Sequence, residues 1–267
     1  MKSIEGVGLA DVTATYSGPQ GDLYGLLLGQ QLHVGGMSAS IDLAERAGIG
    51  AGLRGIDLCC GVGGGMRVLV RFRNVASMIG VDVTERNIAR ARELSRAEVL
   101  ADRMEFKVGD ACQSGLPAAG ADFVWGEDAW CYVPDKPKLI AEAARLVRPG
   151  GVIAFTDWVE GPLELSEAEA QQCLRLMSFP NVQDLTGYSR LLSENGCKVV
   201  TAEDTGRLPI WFDLCFNMIE KQFTYDVLAT VAFQADLLKV ITDNFRMLGD
   251  LARAGKIIQA RFIARRS

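Results

Sequence analysis

The sequence predicts an α/β fold built on a doubly wound, mostly parallel sheet of seven strands. Two observations predict it: short apolar runs alternate with amphipathic helical segments from Arg54 onward, and glycine or acidic residues follow several of these runs. Strands that alternate with helices in this way form a parallel sheet with helices on both faces. The length of 267 residues suits one large domain with an insertion, or two small domains.

Each strand is predicted from an apolar run that ends at a turn residue. The seven predicted strands cover residues 55–60, 75–81, 104–108, 121–125, 152–156, 198–202 and 257–264. Helices are predicted from Met66, over 85–100 behind the N-cap Thr84, over 137–147 and over 185–195. Ligands of such sheets bind at the carboxyl ends of the strands, so a site is expected there.

Three parts of the chain do not follow this alternation of strands and helices. Residues 1–50 carry a dense apolar pattern and are predicted to form a helical arm that covers the sheet domain, which comprises 51–205 and 257–267. Residues 206–256 are predicted to form a helical lid inserted before the last strand. Residues 159–183 are expected to contribute to the substrate pocket. Insertions of this length in a compact domain are usually functional.

Composition and charge exclude several classes of protein. The net charge is −5 and no long block of Lys or Arg is present, so nucleic acid is not expected as a partner. The chain starts without the apolar core of a signal peptide, and no uncharged apolar run approaches the roughly 18 residues of a membrane span. The seven cysteines form no Cys-x-x-Cys pair, so we expect reduced thiols, no metal and a cytoplasmic location.

A glycine-rich loop follows the first predicted strand, with the sequence Asp57-Leu-Cys-Cys-Gly61-Val-Gly63-Gly64-Gly65. Glycines here let the backbone approach a ligand, and the N-terminus of the following helix favours an anionic group. A tight turn without a ligand is the alternative. The dinucleotide fingerprint Gly-x-Gly-x-x-Gly is broken at Met66, which disfavours a nicotinamide-dependent oxidoreductase.

Acidic residues stand at the ends of the next two strands. Asp82 ends the second strand, where a carboxylate can accept both hydroxyl protons of a ribose. Asp110 follows the third strand and can accept from the exocyclic amine of adenine, while Ala111 and Cys112 cover the ring. The alternatives are an acid at a helix N-terminus for Asp82 and a surface turn for Asp110.

Together, the glycine loop and these acids resemble the class I S-adenosylmethionine-dependent methyltransferases. The resemblance is strong over residues 54–157, and the turn Arg148-Pro-Gly-Gly151 is typical of the family. It implies a Rossmann-like methyltransferase fold, with S-adenosylmethionine as cofactor and S-adenosylhomocysteine as its product. The cofactor site that it implies comprises Gly36, Asp57, Cys59, Gly61, Gly63, Asp82, Val83, Asp110, Ala111, Cys112 and Glu127.

Flanking motifs are similar to those of the sarcosine/dimethylglycine and phosphoethanolamine N-methyltransferases, over nearly the whole chain. These motifs are Gln31-Leu-His33-Val-Gly35-Gly36, Gly126-Glu127-Asp128-Ala129 with Trp130-Cys131-Tyr132, Phe155-Thr-Asp157-Trp158 and Arg253-Ala-Gly-Lys256. In those relatives an Asp–His pair acts in the acceptor pocket, which places catalysis at Asp128 and Tyr132 here. The sequence departs from the family at Tyr132, which replaces the histidine, and at Cys59, where relatives commonly have glycine.

The resemblance implies methyl transfer to a small molecule, with an amine as the leading acceptor. Transfer from a sulfonium is an in-line displacement, so the placement of the acceptor is the main task. Asp128, through Tyr132, would take the proton from an amine. Two alternatives stay open. One is a C- or O-methyltransferase for an apolar isoprenoid or polyketide-like acceptor, which the apolar run 208–216 favours; the other is a cofactor-binding module without transfer activity.

Candidate contacts of the acceptor come from ring-bearing side chains, because aromatic faces can hold a cationic intermediate. They are His33, Trp158, Tyr188 and Trp211, for each of which simple packing is the alternative. A phospho-base acceptor would need convergent cations, and the sequence offers Arg175, Arg207, Lys221 and Lys256. We expect a monomer or a homodimer.

Overall fold

A seven-stranded sheet forms the centre of the computed structural model, which describes residues 1 to 267. The chain forms the strands β1 (Lys2–Ser3), β2 (Arg54–Leu58), β3 (Ser77–Asp82), β4 (Met104–Val108), β5 (Ala121–Glu127), β6 (Val147–Glu160), β7 (Asn181–Val182), β8 (Cys197–Asp204) and β9 (Ile257–Arg266). The sheet has the order β4–β3–β2–β5–β6–β9–β8, and only β9 runs antiparallel to its neighbours. The predicted mostly parallel sheet of seven strands is confirmed.

Eleven α-helices surround this sheet. They are α1 (Leu9–Ser17), α2 (Pro19–Leu28), α3 (Gly36–Ala47), α4 (Gly64–Phe72), α5 (Glu85–Ala97), α6 (Lys136–Leu146), α7 (Glu167–Met177), α8 (Leu185–Glu194), α9 (Arg207–Asn217), α10 (Thr224–Thr230) and α11 (Ala235–Arg253). Helices α3, α4 and α5 share an apolar cluster with one face of the sheet, and α6 and α8 share another with the opposite face. None of the helices has the length and apolar character that crossing a bilayer requires.

A third apolar cluster joins the arm to the lid beyond the carboxyl ends of the strands. It contains Leu23 from α2, Trp158 from β6, Leu174 from α7, Phe212 from α9 and Leu248 from α11. The segment 1–50 thus contains α1 to α3, and the segment 206–256 contains α9 to α11 with a π-helical stretch between α9 and α10.

Two segments differ from the sequence prediction. Strand β6 extends well beyond the predicted 152–156, because β9 pairs with it over Val152–Glu160 in antiparallel register. Residues 159–183, for which no helix or strand is predicted from the sequence, contain α7 and β7. Helix α7 begins at a capping box in which the Ser166 side chain and the Glu169 side chain each bond the other's backbone N–H.

Candidate active site

A cavity opens at the carboxyl ends of β2, β3, β4 and β5, where the sequence predicts the site. This first cavity has a volume of about 270 Å³. Twelve of the predicted site residues line it: His33, Asp57, Cys59, Gly61, Asp82, Val83, Asp110, Ala111, Cys112, Glu127, Asp128 and Tyr132. Parallel strands bring their carboxyl ends to one edge of the sheet, and residues distant in sequence therefore meet here.

The loop between β2 and α4 turns sharply through three residues with left-handed backbone angles. Cys59, Gly61 and Gly63 have φ values of 65°, 52° and 73°. Glycine adopts this region freely, whereas cysteine does so at a cost of about 1–2 kcal/mol. The N–H of Cys59 donates to the carbonyl oxygen of Val81 at 2.8 Å, which anchors the turn to β3.

The following glycines allow other groups to come close to α4. A Cβ at Gly64 would lie 2.3 Å from the carbonyl oxygen of Gln30 in the arm. A Cβ at Gly65 would lie 2.0 Å from Oε2 of Glu127. The two glycines therefore admit the arm on one side and the Glu127 carboxylate on the other.

Asp57 is a carboxylate in this cavity that receives no hydrogen bond from the protein. The residue is 4% exposed. Burial raises its pKa well above the usual value, and the neighbouring charges of Glu127 and Asp82 raise the pKa further. A buried carboxylate in such surroundings is stabilised by a cationic partner, which a ligand with an ammonium group would supply.

Asp82 and Asp110 order the loops after β3 and β4. Asp82 accepts the N–H of Gly61 at 2.9 Å and that of Thr84 at 2.8 Å, and these bonds oppose the rise in its pKa that burial causes. Asp110 is exposed at the cavity rim and accepts the N–H of Cys112 at 2.8 Å. Carboxylate oxygens accept more than one hydrogen bond, so both acids can still accept from a ligand.

Glu127, at the end of β5, connects the sheet to the arm. Its Oε2 accepts the indole N–H of Trp125 at 3.0 Å, and its Oε1 accepts the Ser40 hydroxyl at 2.8 Å. The Nε2 atom of His33 lies 3.3 Å from the same Oε1 and 3.0 Å from the carbonyl oxygen of Gly36. The carboxylate thus fixes both the histidine and the start of α3.

Asp128 forms a second connection to the arm. Its Oδ2 accepts the N–H of Val34 at 2.8 Å, and both oxygens accept from Nε2 of Gln259, at 2.7 and 3.0 Å. Burial raises the pKa of Asp128, while His33 and these hydrogen bonds oppose the rise. Gln259 stands on β9 opposite Trp158 of β6, so the antiparallel register of these strands determines its position.

A second cavity of about 240 Å³ lies between the arm and the lid. Two residues predicted to contact the acceptor, Trp158 and Trp211, line it. No Asp, Glu, Lys or Arg is among its lining residues, which are Pro19, Gln20, Leu23, Tyr24, Trp158, Leu176, Met177, Trp211, Phe212, Thr230, Val231, Ile241, Asn244, Phe245 and Leu248. The space suits an apolar molecule or an apolar part of one.

Three tyrosines, the tyrosine cluster, stand between the two cavities. Tyr16 and Tyr132 line the first cavity and Tyr24 lines the second. The ring of Tyr16 lies 5.3 Å from that of Tyr132 and 5.9 Å from that of Tyr24, centroid to centroid. Burial raises the pKa of all three phenols, that of Tyr24 to about 12. The phenols therefore stay protonated and can donate hydrogen bonds to a ligand.

Three predicted site residues line neither cavity. Gly36 begins α3, and Gly63 precedes α4, where a Cβ would meet the Phe106 ring at 2.8 Å. Tyr188 is fully buried in α8 and donates its hydroxyl to Oδ2 of Asp157 at 2.6 Å. The acceptor contact predicted for Tyr188 is not in place, because the apolar face of α8 carries this side chain against the sheet.

The cations considered for a phospho-base acceptor do not converge on either cavity. Arg207 pairs with Asp42 at 2.6 Å, and Lys256 pairs with Glu169 at 2.6 Å. The remaining two are exposed at the surface: Arg175 and Lys221. The described chain also contains no group of three or more His, Cys, Asp or Glu side chains that could hold a metal ion.

Some residues of the site have neighbours from distant parts of the chain and are not indicated by any local sequence pattern. Tyr16 and Tyr24 lie in the arm, and no local pattern marks them as members of a cluster with Tyr132. Gln259 faces Asp128 only through strand pairing. A register prediction for β6 and β9 is the one signal that could have indicated Gln259.

Comparisons with known proteins agree with this architecture. A family model described as a methyltransferase domain matches residues 56–155. A 27-O-demethylrifamycin SV methyltransferase from Amycolatopsis mediterranei is 30% identical over 207 residues, which are 71% of this chain and 75% of the relative. A 2-methyl-6-phytyl-1,4-hydroquinone methyltransferase from Synechocystis is 31% identical over 174 residues, 61% of this chain. The chain spans only 54% of that second relative.

A solved structure described as a sarcosine dimethylglycine methyltransferase from Galdieria sulphuraria superposes with a TM-score of 0.83. The match covers 93% of this chain and 97% of that one, at 22% identity, and is a likeness of fold. The chain belongs to the class I S-adenosylmethionine-dependent methyltransferases, as its sequence motifs predicted.

The first cavity fits S-adenosylmethionine, the methyl donor of this family. The unpartnered carboxylate of Asp57 matches the cofactor's ammonium group, and Asp82 and Asp110 can accept from its ribose hydroxyls and adenine amine. The sharp turn at Gly61 brings backbone N–H groups and the N-terminus of α4 to the cavity, where an anionic carboxylate is favoured.

Proposed function

We propose that this chain transfers a methyl group from S-adenosylmethionine to an apolar small molecule, the body of which occupies the second cavity. The observation that carries the proposal is the composition of that cavity, which is lined by five aromatic side chains and by no charged one. Burying a charged acceptor there without a partner would cost several kcal/mol, whereas an apolar body gains about 25 cal/mol for each Å² buried.

The distribution of cations supports the same proposal. A phosphorylated acceptor needs Arg or Lys side chains that converge on it, whereas Arg207 and Lys256 hold carboxylates and line neither cavity. The lysine nearest the first cavity, Lys138, pairs with Asp135 at 2.9 Å and is 74% exposed in its side chain. No cation is thus free to clamp a phosphate beside the tyrosine cluster.

Bound S-adenosylmethionine supplies an activated methyl group on a cationic sulfur. We assign the orientation of the acceptor to Tyr16 and Tyr132, because their protonated phenols can donate hydrogen bonds to an acceptor oxygen at the boundary of the cavities. When that oxygen is a hydroxyl, a C–O bond forms, the C–S bond breaks and the hydroxyl proton goes to Asp128. Its raised pKa suits uptake of a proton.

The acceptors of two curated relatives give the proposal further support. Their names describe a phytyl-substituted hydroquinone and a demethylrifamycin as substrates of those proteins. Both acceptors are large and mostly apolar and carry oxygen atoms. We extend this class to the present chain: an apolar molecule with a hydroxyl or an electron-rich ring at the end that reaches the tyrosine cluster.

The test is incubation with S-adenosylmethionine and two panels of acceptors, followed by mass spectrometry. One panel holds apolar phenols, hydroquinones, prenyl compounds and polyketide macrocycles; the other holds glycine, sarcosine, dimethylglycine and phosphoethanolamine. We expect products one methyl group heavier from the first panel only. The proposal would be refuted if amines were methylated and no apolar acceptor gave a methylated product.

Ile241→Trp tests the second cavity directly, because Ile241 lines it. The added ring should raise KM for an apolar acceptor at least ~10-fold and leave the affinity for S-adenosylhomocysteine unchanged. Val240→Trp is the matched control, since Val240 is the preceding residue on α11, is 53% exposed and does not line the cavity. Equal KM values in the two variants would place the acceptor elsewhere.

A small amine is the second candidate acceptor, and one observation favours it. The rings of Tyr16 and Tyr132 and the carboxylate of Asp128 meet at the first cavity, a combination that can hold an ammonium or its methylated product. In that case sarcosine or dimethylglycine should be methylated, Asp128→Ala should abolish the product, and Ile241→Trp should have no effect. Binding of S-adenosylhomocysteine without a product from either panel would instead favour a module without transfer activity.

A further inference from the structure

Lys136, at the start of α6, has a fully buried side chain. Its Nζ donates to the carbonyl oxygens of Val133 at 2.6 Å, Cys131 at 3.0 Å and Asn181 at 3.4 Å. These bonds use all three donors of an ammonium group. Because burial of a cation is costly unless its partners compensate, the backbone that it holds indicates its role.

Asp157 of β6 holds the same backbone from the other side. Its Oδ1 accepts the N–H of Cys131 at 2.9 Å, and its Oδ2 accepts the hydroxyl of Tyr188 at 2.6 Å. The N–H and the carbonyl of Cys131 are therefore fixed by an anion and a cation respectively. The next residue, Tyr132, belongs to the tyrosine cluster and lines the first cavity.

The segment around β7 completes the arrangement. Asn181 accepts from Lys136 through its carbonyl and donates through its side-chain amide to the carbonyl of Pro134 at 2.8 Å. Two residues earlier, the ring of Phe179 packs edge-on against Tyr132 with centroids 4.8 Å apart. The ammonium of Lys136 thus connects both backbone segments that hold the Tyr132 ring.

We propose that Lys136 is a positioning residue for methyl transfer, which together with Asp157 fixes the loop 128–135 and through it the Tyr132 side of the first cavity. Lys136 lines neither cavity, so it acts through Tyr132 rather than on the acceptor itself. The inference rests on the proposed function, because it concerns the orientation of the acceptor.

Both members of the pair are charged only within a limited pH range. Burial lowers the pKa of Lys136 to about 8 and raises that of Asp157 to about 6, and the opposite charge of the partner opposes each shift. Asp128 on the loop is a further carboxylate that faces Asp157. The other titratable groups that face the pair stay protonated in this range, because burial raises their pKa: Cys59, Cys112, Cys131 and Tyr188.

Above pH 8, loss of the Lys136 charge should loosen the loop, but the same titration makes the fold as a whole more stable. The folded chain releases the Lys136 proton near pH 8, whereas an unfolded chain keeps it to 10.5. The free energy of unfolding that this group contributes therefore rises between these pH values. A loss of loop order or of transfer rate above pH 8 can thus be separated from a loss of folding.

The experiment compares the unchanged protein with Lys136→Met/Asp157→Asn and with Lys107→Met. The double substitution removes both buried charges, which avoids an uncompensated ion and preserves folding. Lys107→Met is the control, because this lysine is on the surface of β4 and lines neither cavity. The readouts are kcat, amide hydrogen exchange at Cys131 and affinity for S-adenosylhomocysteine, each from about pH 5 to about pH 9.

We expect the double variant to lose about 100-fold in kcat, since a small misplacement of an orienting group has an effect of this size. Its Cys131 amide should exchange faster than in the unchanged protein. Relative to the double variant, the unchanged protein should lose activity and Cys131 protection above pH 8. At each pH, the ratio of the kcat values of the two chains cancels the effect of the ligand's own amino group, which titrates equally in both assays.

A double variant with native kcat and native exchange at Cys131 would overturn the inference, because Lys136 would then only neutralise Asp157. The unchanged protein also tests the inference without any substitution. If protection of the Cys131 amide, corrected for intrinsic exchange, stays constant across pH 8, the inference is overturned. Failure to find any methylated product would refute the proposed function, while the exchange measurements would still decide on Lys136.

Discussion

Replacement of Gly65 by alanine should damage the first cavity although alanine favours helices. Gly65 is buried in the first turn of α4, and an added Cβ would lie 2.0 Å from Oε2 of Glu127 and 3.1 Å from Nε1 of Trp125. Ordinary contact begins at 3.4 Å, so the carboxylate would have to move by about 1.4 Å. This movement breaks its 3.0 Å hydrogen bond with the Trp125 indole.

Two effects of opposite sign determine the magnitude. Alanine in place of glycine stabilises the interior of a helix by about 1 kcal/mol. Loss of a hydrogen bond to a buried charged group costs about 1.5–3 kcal/mol. We expect the free energy of unfolding to fall by roughly 0.5–2 kcal/mol. Because Glu127 lines the cavity, the affinity for S-adenosylhomocysteine should fall at least ~10-fold.

Titration calorimetry with S-adenosylhomocysteine and thermal unfolding measure the two quantities. Gly25→Ala is the matched control, because Gly25 also lies inside a helix, α2, but a Cβ there meets no atom within 4 Å. This control should gain up to about 1 kcal/mol and keep its affinity. If Gly65→Ala behaved like Gly25→Ala in both assays, the close approach of Gly65 and Glu127 would be refuted.

Three further predictions follow from buried charge, backbone strain and the start of the lid. Asp57→Asn should raise the melting temperature of the ligand-free protein at neutral pH and weaken S-adenosylhomocysteine binding. The raised pKa of Asp57 makes its ionised form unfavourable without a ligand, so the stability difference should vanish as pH falls towards 3.8. Cys59→Gly should stabilise by about 1 kcal/mol in denaturant unfolding, because it relieves a φ of 65°. Asp42→Asn and Arg207→Gln should each raise the KM of the acceptor, because their ion pair fixes the first residue of α9. In a double-mutant cycle, the two substitutions should show a coupling energy of about 0.5–1 kcal/mol.

Each of these predictions has its own control and contrary result. An Asp57→Asn chain whose melting temperature matches that of the unchanged protein at every pH would mean that Asp57 ionises in the folded chain without a penalty, as a paired carboxylate does. Cys60→Gly should destabilise where Cys59→Gly stabilises, since Cys60 is buried in a core cluster. Arg46→Gln removes another partner of Asp42, outside the lid, and should leave KM unchanged; strictly additive effects of Asp42→Asn and Arg207→Gln would exclude a coupled pair.

The donor side of the site could be predicted from sequence because its signals are local. Asp57 and Asp82 lie at the carboxyl ends of β2 and β3, and Gly61 and Asp110 come shortly after β2 and β4; parallel strands bring such ends together. Knowledge of the strand positions is therefore enough to predict this edge. Errors of a few residues in the strand bounds do not move any of these side chains away from it. Twelve predicted residues therefore meet at the first cavity.

The acceptor side could not be predicted because its determinants are tertiary. Trp158 and Tyr188 stand in equally apolar surroundings in the sequence, yet one lines the second cavity and the other is covered by the sheet. Arg207 reads as an available cation, but Asp42, which neutralises it, lies 165 positions away. Periodicity identifies the buried face of a helix, but it does not tell whether that face packs against other side chains or lines a cavity.

The boundary of the family match shows why the two sides differ. The methyltransferase domain model ends at residue 155, and every residue that lines the second cavity lies outside 56–155, from Pro19 and Tyr24 in the arm to Trp158 and Leu248 beyond it. The family match therefore covers the half of the site that the strand ends form, to which the arm adds His33 and Tyr16. The tyrosine cluster joins that half to the other, since Tyr132 belongs to the matched domain and its two partners to the arm. Substitutions in the lid, which contributes no residue to the first cavity, should consequently change the acceptor while leaving that cavity intact, which is the separation that the Ile241→Trp experiment measures.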